Sequence, residues 1–346
     1  MMKGHPHRRI AWLAAMAAAF LLTACGMKTT DRFAGRTMGT TYHVQLAVSR
    51  FERTAYLAER IEARLIEINR SMSTYLPDSE ISRFNAMGAA HERICVSRDF
   101  FQVMTVAANL FRLTAGAWDG TVAPLVNLWG FGVTPQKGTV PTAEQIDRVL
   151  ERVGFDRILK DPGGCLSKSM PNVTLDLASI AKGYGVDAVA DLIRAEGYND
   201  FLVEIGGEVF ASGHRTDGKP WRVGINHPDP SAPANQVYRA VSLTGKALAT
   251  SGDYRNFFIQ NDVRYSHLID PRSGYPVQNG VVSASVIAPT CTLADGLATA
   301  LAVMGPESGL ALVNALDGVD CLIVVRDAQG RLIDYVSGGF RPYETQ

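Results

Sequence analysis

Neither sign of charge is in excess: 34 lysines and arginines stand against 34 aspartates and glutamates. With no basic arm and no stripe of interleaved aromatic and basic residues, nothing in the chain argues for nucleic acid as a partner. Cysteine is scarce, five residues in all, and no two of them form C-x-x-C, which removes the usual zinc and dithiol patterns. No G-x-S-x-G occurs, so Ser251 in "ATSGDY" lacks a nucleophile elbow, and Cys291 lacks a hydrolase-type surround. There is no repeat of solenoid length and no low-complexity tract. Long apolar runs are missing as well, with one exception near the N-terminus.

That exception joins a basic stretch, "KGHPHRR", to an apolar stretch, "IAWLAAMAAAFLL", that is short for a bilayer span, and ends in "LTAC". The pattern is that of a secretory leader. Leu22, Thr23, Ala24 and Cys25 resemble the bacterial lipobox, in which the cysteine is lipidated and becomes the mature N-terminus; a plain cleaved signal or an anchor helix is the alternative. The expected division is a signal peptide over residues 1–24, a lipid-anchored linker over 25–35 and one domain over 36–346. The expected location is the periplasmic side of a bacterial membrane, held there by the lipid on Cys25, with inner and outer membrane undecided. Cys95, Cys165, Cys291 and Cys321 remain, and buried free thiols are expected for them, because a chain of 346 residues with 47% apolar content builds its core without staples.

"MKTTDRFAG" reads as the polar linker, "TTYHVQLAV" as a strand and Arg50 to Asn69 as a helix. In "STYLPDSEISRFN", Pro77 and Asp78 break the chain and Ser79 caps a short helix. A helix from Phe100 to Ala115 ends at Gly116; "AWDGTVAPLVNLWGFG" is neither cleanly helical nor stranded; and Thr139 to Lys160 adds a helix and a connection. "NVTLDLAS" reads as a strand running into a helix from Ser179 to Glu196 that Gly197 closes. Beyond it come "FLVEIGGEVFASG" and "FFIQNDVRYSHLI" as hairpins, "WRVGINHP" and "GVVSASVIAP" as strands, a helix capped by Thr292 and stopped at Gly305-Pro306, another helix, and a closing hairpin of "CLIVVRD" with "RLIDYVSG". Hairpins among helices, without regular βαβ alternation, predict an α+β fold of antiparallel sheets covered by helices.

Several constellations invite a chemical reading. Gly183, Tyr184, Gly185 and Ala188 spell G-x-G-x-x-A, but they lie six residues past the end of the expected strand, already in helical register, which excludes a dinucleotide turn. Asp176 stands at a helix start with Lys182 about one turn on, a place where an anion is welcome, although an aspartate capping its own helix beside a solvated lysine is the simpler account of those two residues. Asp295 and Thr299, four apart on a helix, present two oxygens on one face and suit a hard cation; the plainer account is a capping-box acid answering Thr292 and a threonine bonding back into its helix. His267 and Asp270 in "YSHLIDPRSG" end a hairpin strand, where a rigid backbone can aim a proton carrier, or where Asp270-Pro271 is ordinary turn chemistry.

Taken in order, "RTMGTTYHV", "STYLPDSEISRFN", "AWDGTVAPLVNLWGFG", "TLDLASIAKGYGVD", "FLVEIGGEV", "WRVGIN", "YSHLIDPRSGYPV" and "DGLATALAVMG" resemble the segments of the FAD:protein FMN transferases, the ApbE-like family, over essentially the whole mature chain. The resemblance implies a T-fold-like α+β architecture of two related subdomains in one compact unit. FAD is implied as substrate, with Mg²⁺ across its pyrophosphate. By the same resemblance Met38 and Tyr75 contact the flavin, Ala117, Trp118 and Asp119 wall the FAD pocket, Asp176 and Lys182 lie at the nucleotide, and Ile269 is a further FAD contact. Ser179, through its backbone oxygen, Asp295 and Thr299 are the implied metal ligands. His267 is the implied residue near the reacting phosphate and the expected general base, with Asp270 or Asp176 as alternatives. The implied partner is an acceptor protein carrying a target threonine or serine, expected to be a membrane-bound redox subunit. Water in place of the acceptor would make the protein an FAD pyrophosphatase, and binding without reaction would make it a flavin-binding lipoprotein. "KDPGGCLSKSMPN" matches the family least well and is assigned no role.

Overall fold

The computed structural model describes residues 28–132, 140–229, 231–233, 236–252, 257–261 and 263–345. The leader over residues 1–24 and the lipid site at Cys25 lie outside the described residues. Among the described residues no helix is long and apolar enough to cross a membrane.

The stretch read as a polar linker is a strand. Strand β1 (Lys28–Thr37) pairs antiparallel with β2 (Thr40–Ser49) along its full length, from Lys28 opposite Ser49 to Thr37 opposite Thr40. Met38 and Gly39 close the hairpin at φ 48° and 73°, the left-handed pair that a tight two-residue turn demands. Polar residues conceal this strand because it forms one edge of the sheet and shows most of its side chains to water.

Helices α1 (Tyr56–Met72) and α2 (Glu80–Ala86) follow, then β3 (Arg93–Cys95) and α3 (Arg98–Leu113). The first of these starts about six residues later than the periodicity suggested; Ser79 caps α2 as expected, accepting from the Ser82 N–H. Next come α4 (Ala123–Leu128), α5 (Ala143–Leu150), β4 (Ile158–Asp161), β5 (Cys165–Lys168) and the long α6 (Ala178–Ala195), which returns the chain to the hairpin of β6 (Phe201–Ile205) and β7 (Glu208–Ser212). The remainder comprises β8 (Trp221–Asn226), β9 (Val237–Leu243), β10 (Lys246–Gly252), the hairpin of β11 (Phe257–Gln260) and β12 (Val263–Ser266), β13 (Val281–Ala288), α7 (Cys291–Met304), α8 (Pro306–Asn314), β14 (Asp320–Arg326) and β15 (Leu332–Val336).

Eight strands form one antiparallel sheet in the order β1-β2-β6-β7-β10-β13-β14-β15. Its two halves repeat one plan, two strands, then helices, then two strands, and they join where β7 meets β10. Central β13 is buried along its whole length, which explains its unbroken run of apolar and small residues. Helices α6 and α7 lie side by side over one face of the sheet, and β8–β9 contribute Trp221, Val241 and Leu243 to a second core on the other. The glycine of Gly183 is what lets α6 and α7 touch: a Cβ there would sit 2.4 Å from the Cys291 carbonyl oxygen. The G-x-G-x-x-A pattern is thus helix packing, as its register implied.

Three local expectations are corrected. Cys95 and Cys165 form a disulfide; they are register partners on β3 and β5, a pairing of segments 70 residues apart that no local pattern reveals. Cys291 and Cys321 are the buried free thiols. In "NVTLDLAS" residues 173–177 join no sheet and Ala178 already begins the helix. Its alternation is real, with Val173, Leu175 and Leu177 buried, yet its backbone is met by the Asn85 side chain and the Gly120 carbonyl instead of a neighbouring strand. Finally, α7 is capped by Thr290, whose hydroxyl accepts from the Leu293 N–H, whereas Thr292 lies inside the helix and donates its hydroxyl to Asp187.

Candidate active site

Helix α6 begins at a junction built from side chain to backbone contacts. Asn85 donates to the Leu175 carbonyl at 2.9 Å and accepts from the Leu175 N–H at 2.7 Å, and the Asp176 N–H donates to the Gly120 carbonyl at 2.7 Å. Asp176 Oδ1 accepts from the Ala178 N–H at 2.9 Å, a turn bond at the head of the helix. Asp119 is consumed by the adjoining wall: its carboxylate accepts from the Thr121 N–H, the Thr121 hydroxyl and the Phe155 N–H at 2.7, 2.6 and 3.0 Å. Burial pushes the Asp119 carboxyl up against the opposing effect of those donors. Trp118 Nε1 donates to the Ser179 hydroxyl at 3.0 Å, tying this wall to the first turn of α6.

Helix α7 is set against α6 by Asp187, which accepts from the N–H groups of Cys291 and Thr292, both at 2.8 Å. That contact serves α7's orphan N-terminal donors. It also fixes Asp295, 2% exposed, so that its Oδ2 accepts from the Gly183 N–H at 3.0 Å. In an ideal α-helix that N–H is aimed at the Ser179 carbonyl. Lys182 Nζ lies 2.6 Å from Glu208 Oε1 and 3.7 Å from Asp295 Oδ1. Burial opposes the Lys182 charge, but Asp295 and Glu208 outweigh it and hold the ammonium above the usual lysine range. Burial, and after it the Asp295 carboxylate, push the Glu208 carboxyl up against the pull of Lys182. One turn beyond Asp295, Thr299 shares a hydrogen bond at 3.0 Å with Ser251 of β10.

These elements enclose a cavity of about 350 Å³. Ala117, Trp118, Asp119, Asp176, Ser179, Lys182, His267, Ile269, Asp295 and Thr299 all line it. Met38 and Tyr75 line a neighbouring cavity of about 570 Å³, and Asp176, Ala178 and Lys182 belong to both walls. Tyr75 is largely exposed at its mouth. His267 follows β12, its ring edge-on to Phe131 at 6.4 Å. Asp270 lines neither cavity; Arg272 takes both its oxygens at 2.8 Å.

Two lining residues, Glu208 and Ser251, had no part in the expected site. Glu208 carries a signal visible afterwards, an acid between a Gly-Gly turn and an apolar strand that buries it to 4% exposure. Ser251, dismissed as a nucleophile, lines the cavity as a partner of Thr299.

Residues 38–323 match the ApbE family model. The chain belongs to the ApbE family. A Vibrio cholerae protein named FAD:protein FMN transferase is 42% identical over 334 residues, covering 96% of this chain and 98% of that protein. Among solved structures, the flavin transferase ApbE from Vibrio cholerae superposes with a TM-score of 0.82 at 41% identity, covering 91% of this chain and 99% of that one. The apo form of the Pseudomonas stutzeri flavinyl transferase ApbE gives 0.81 at 37% identity, covering 91% and 97%. The α+β architecture of the ApbE-family chain described above accords with these neighbours.

Proposed function

We infer that this ApbE-family protein is an enzyme that transfers the FMN part of FAD to a threonine or serine hydroxyl of a protein acceptor, forming a phosphoester and releasing AMP. The observation that carries the reading is the wall of Asp176, Ala178 and Lys182 shared by two cavities. A molecule with aromatic groups at both ends and a diphosphate between them suits such a pair of chambers, with the flavin end toward Met38 and Tyr75 and the diphosphate near Lys182.

The donors at that junction fit a magnesium ion. Among the described residues no three His, Cys, Asp or Glu side chains form a cage, and magnesium characteristically takes one or two carboxylates and completes its shell with water and substrate phosphates. Four carboxylates line the first cavity against a single lysine, and Glu208 Oε2 is buried without a hydrogen-bond partner among the described residues. Asp295, Thr299 and the Ser179 carbonyl would hold the ion. When bound it supplies charge neutralisation on the diphosphate.

The remaining work falls to the chain's own groups. Lys182 faces the diphosphate from the shared wall. His267 takes the proton of the acceptor hydroxyl as that oxygen bonds to the FMN-side phosphorus; the bond from that phosphorus to the bridging oxygen breaks, and AMP leaves with the electron pair. His267 is favoured as the base because its imidazole exchanges protons near neutral pH and lines the cavity, which Asp270, held by Arg272, does not.

The acceptor we propose is a membrane-bound redox subunit met on the periplasmic side, where a lipid on Cys25 would raise the local concentration for the encounter. The Cys95–Cys165 disulfide supports an oxidising compartment. Incubating the magnesium-loaded protein with FAD and a candidate acceptor tests the reading: a flavin-fluorescent acceptor band is expected, whereas free FMN without labelled acceptor indicates a pyrophosphatase and unchanged FAD a binding protein.

A further inference from the structure

Glu208 opens β7 directly after the Gly206-Gly207 turn, and its side chain reaches across to α6. Oε1 accepts from Lys182 Nζ at 2.6 Å. Oε2, in contrast, is buried and accepts no hydrogen bond among the described residues. A carboxylate oxygen left this way forfeits its hydration without compensation. An unpaired buried atom of this kind calls for a cause, and a bound ion is one of those that proteins use. The residue lines the same cavity as Asp295 and Thr299, and the one ammonium between Glu208 and Asp295 cannot neutralise both.

We propose that Glu208 is a cation-site residue, giving its unpartnered Oε2 to the divalent ion opposite Asp295, directly or through one water, while Lys182 holds Oε1 and keeps the side chain aimed. This rests on the proposed magnesium site. It also accounts for the pairing geometry: Lys182 is spent on one oxygen of one acid, at 2.6 Å, and stands off from the other at 3.7 Å. A lysine serving only as counter-ion to a carboxylate pair would have no reason to leave Oε2 bare. The second carboxylate tightens the cation by Coulomb attraction in a buried site, where screening by water is weak.

The test is Mn²⁺ binding to the purified full chain without FAD, read from the loss of the free Mn²⁺ electron-spin-resonance signal. Wild type is expected to bind, and Glu208→Gln and Asp295→Asn each to bind about 10- to 100-fold more weakly, with folding confirmed by circular dichroism in EDTA. If Glu208→Gln binds like wild type while Asp295→Asn does not, Glu208 is only a partner of Lys182 and the proposal is overturned with the metal site intact. If Asp295→Asn also binds like wild type, or wild type does not bind, both are overturned. Should Glu208→Gln not fold, Glu208→Asp carries the same expectation, because it keeps the charge and withdraws the oxygen by one methylene; unchanged affinity in that variant overturns the proposal too.

Discussion

Asn85 on α2 and Leu175, ninety positions away in the chain, are joined by two hydrogen bonds between one side-chain amide and one backbone unit. The amide replaces a neighbouring strand. It therefore holds the segment before α6, and with it the placement of Asp176 and Ser179.

Replacing that amide leaves the buried N–H and C=O of Leu175 unpaired. Asn85→Ala is expected to cost about 2–4 kcal/mol of stability and to raise KM for FAD. Denaturant melts and hydrogen exchange over residues 172–177 check the two effects; unchanged exchange in that segment would count against the clamp. Lys168 supports the same corner from beneath, fully buried and donating to the Asn85 and Met87 carbonyls at 3.2 and 3.1 Å.

His267 lines the cavity. His267→Ala should keep FAD binding, measured by quenching of flavin fluorescence, and slow single-turnover transfer by about 10²–10⁴-fold, the usual contribution of a positioned base. Loss of FAD binding together with transfer would make it a binding residue.

The disulfide closes a loop of 70 residues that carries α3, α4 and α5 and the Ala117–Asp119 wall. Reduction, or Cys95→Ser, is expected to lower stability by about 2–4 kcal/mol through the freed unfolded chain, seen as a drop in Tm with dithiothreitol. Cys291→Ser should leave activity largely intact. Burial pushes that thiol well above its ordinary value, so it should also resist maleimide in the native state.

Strong acid should release the contact between Asp99 and Arg64. The Asp99 carboxylate meets Arg64 at 2.5 and 2.7 Å and accepts from the Tyr184 hydroxyl at 2.5 Å, and the Arg64 guanidinium, against the effect of burial, holds it below the ordinary 3.8. The unfolded chain then takes up this proton before the folded one does. The stabilisation is complete above about pH 4 and is lost as pH falls through the lowered folded value. Asp99→Asn should remove about 1.5–3 kcal/mol near neutrality and flatten the acid limb of a stability-versus-pH curve.

How far local pattern reaches is plain from particular residues. The helical spacing of Asp295 and Thr299 did place both on one cavity, since four residues on a helix return to the same face. The alternation of Val173, Leu175 and Leu177 reported burial correctly but not pairing, because a side chain and a strand satisfy a backbone equally well. Edge strand β1 escaped notice for the opposite reason: it pairs fully while burying little. Glu208 was passed over because an acid at a strand start is ordinary until its surroundings are known.

From the order of residues alone came the α+β class, most hairpins and helices, and the family likeness through which most of the cavity-lining residues were named, since each depends on periodicity or wording within a few neighbouring positions. Tertiary structure alone decided that Cys95 meets Cys165, that Asp270 is spent on Arg272, and that Lys182 stands between Glu208 and Asp295. Those meetings depend on strand register and on how closely α6 approaches α7, quantities set by the packing of segments remote in the chain.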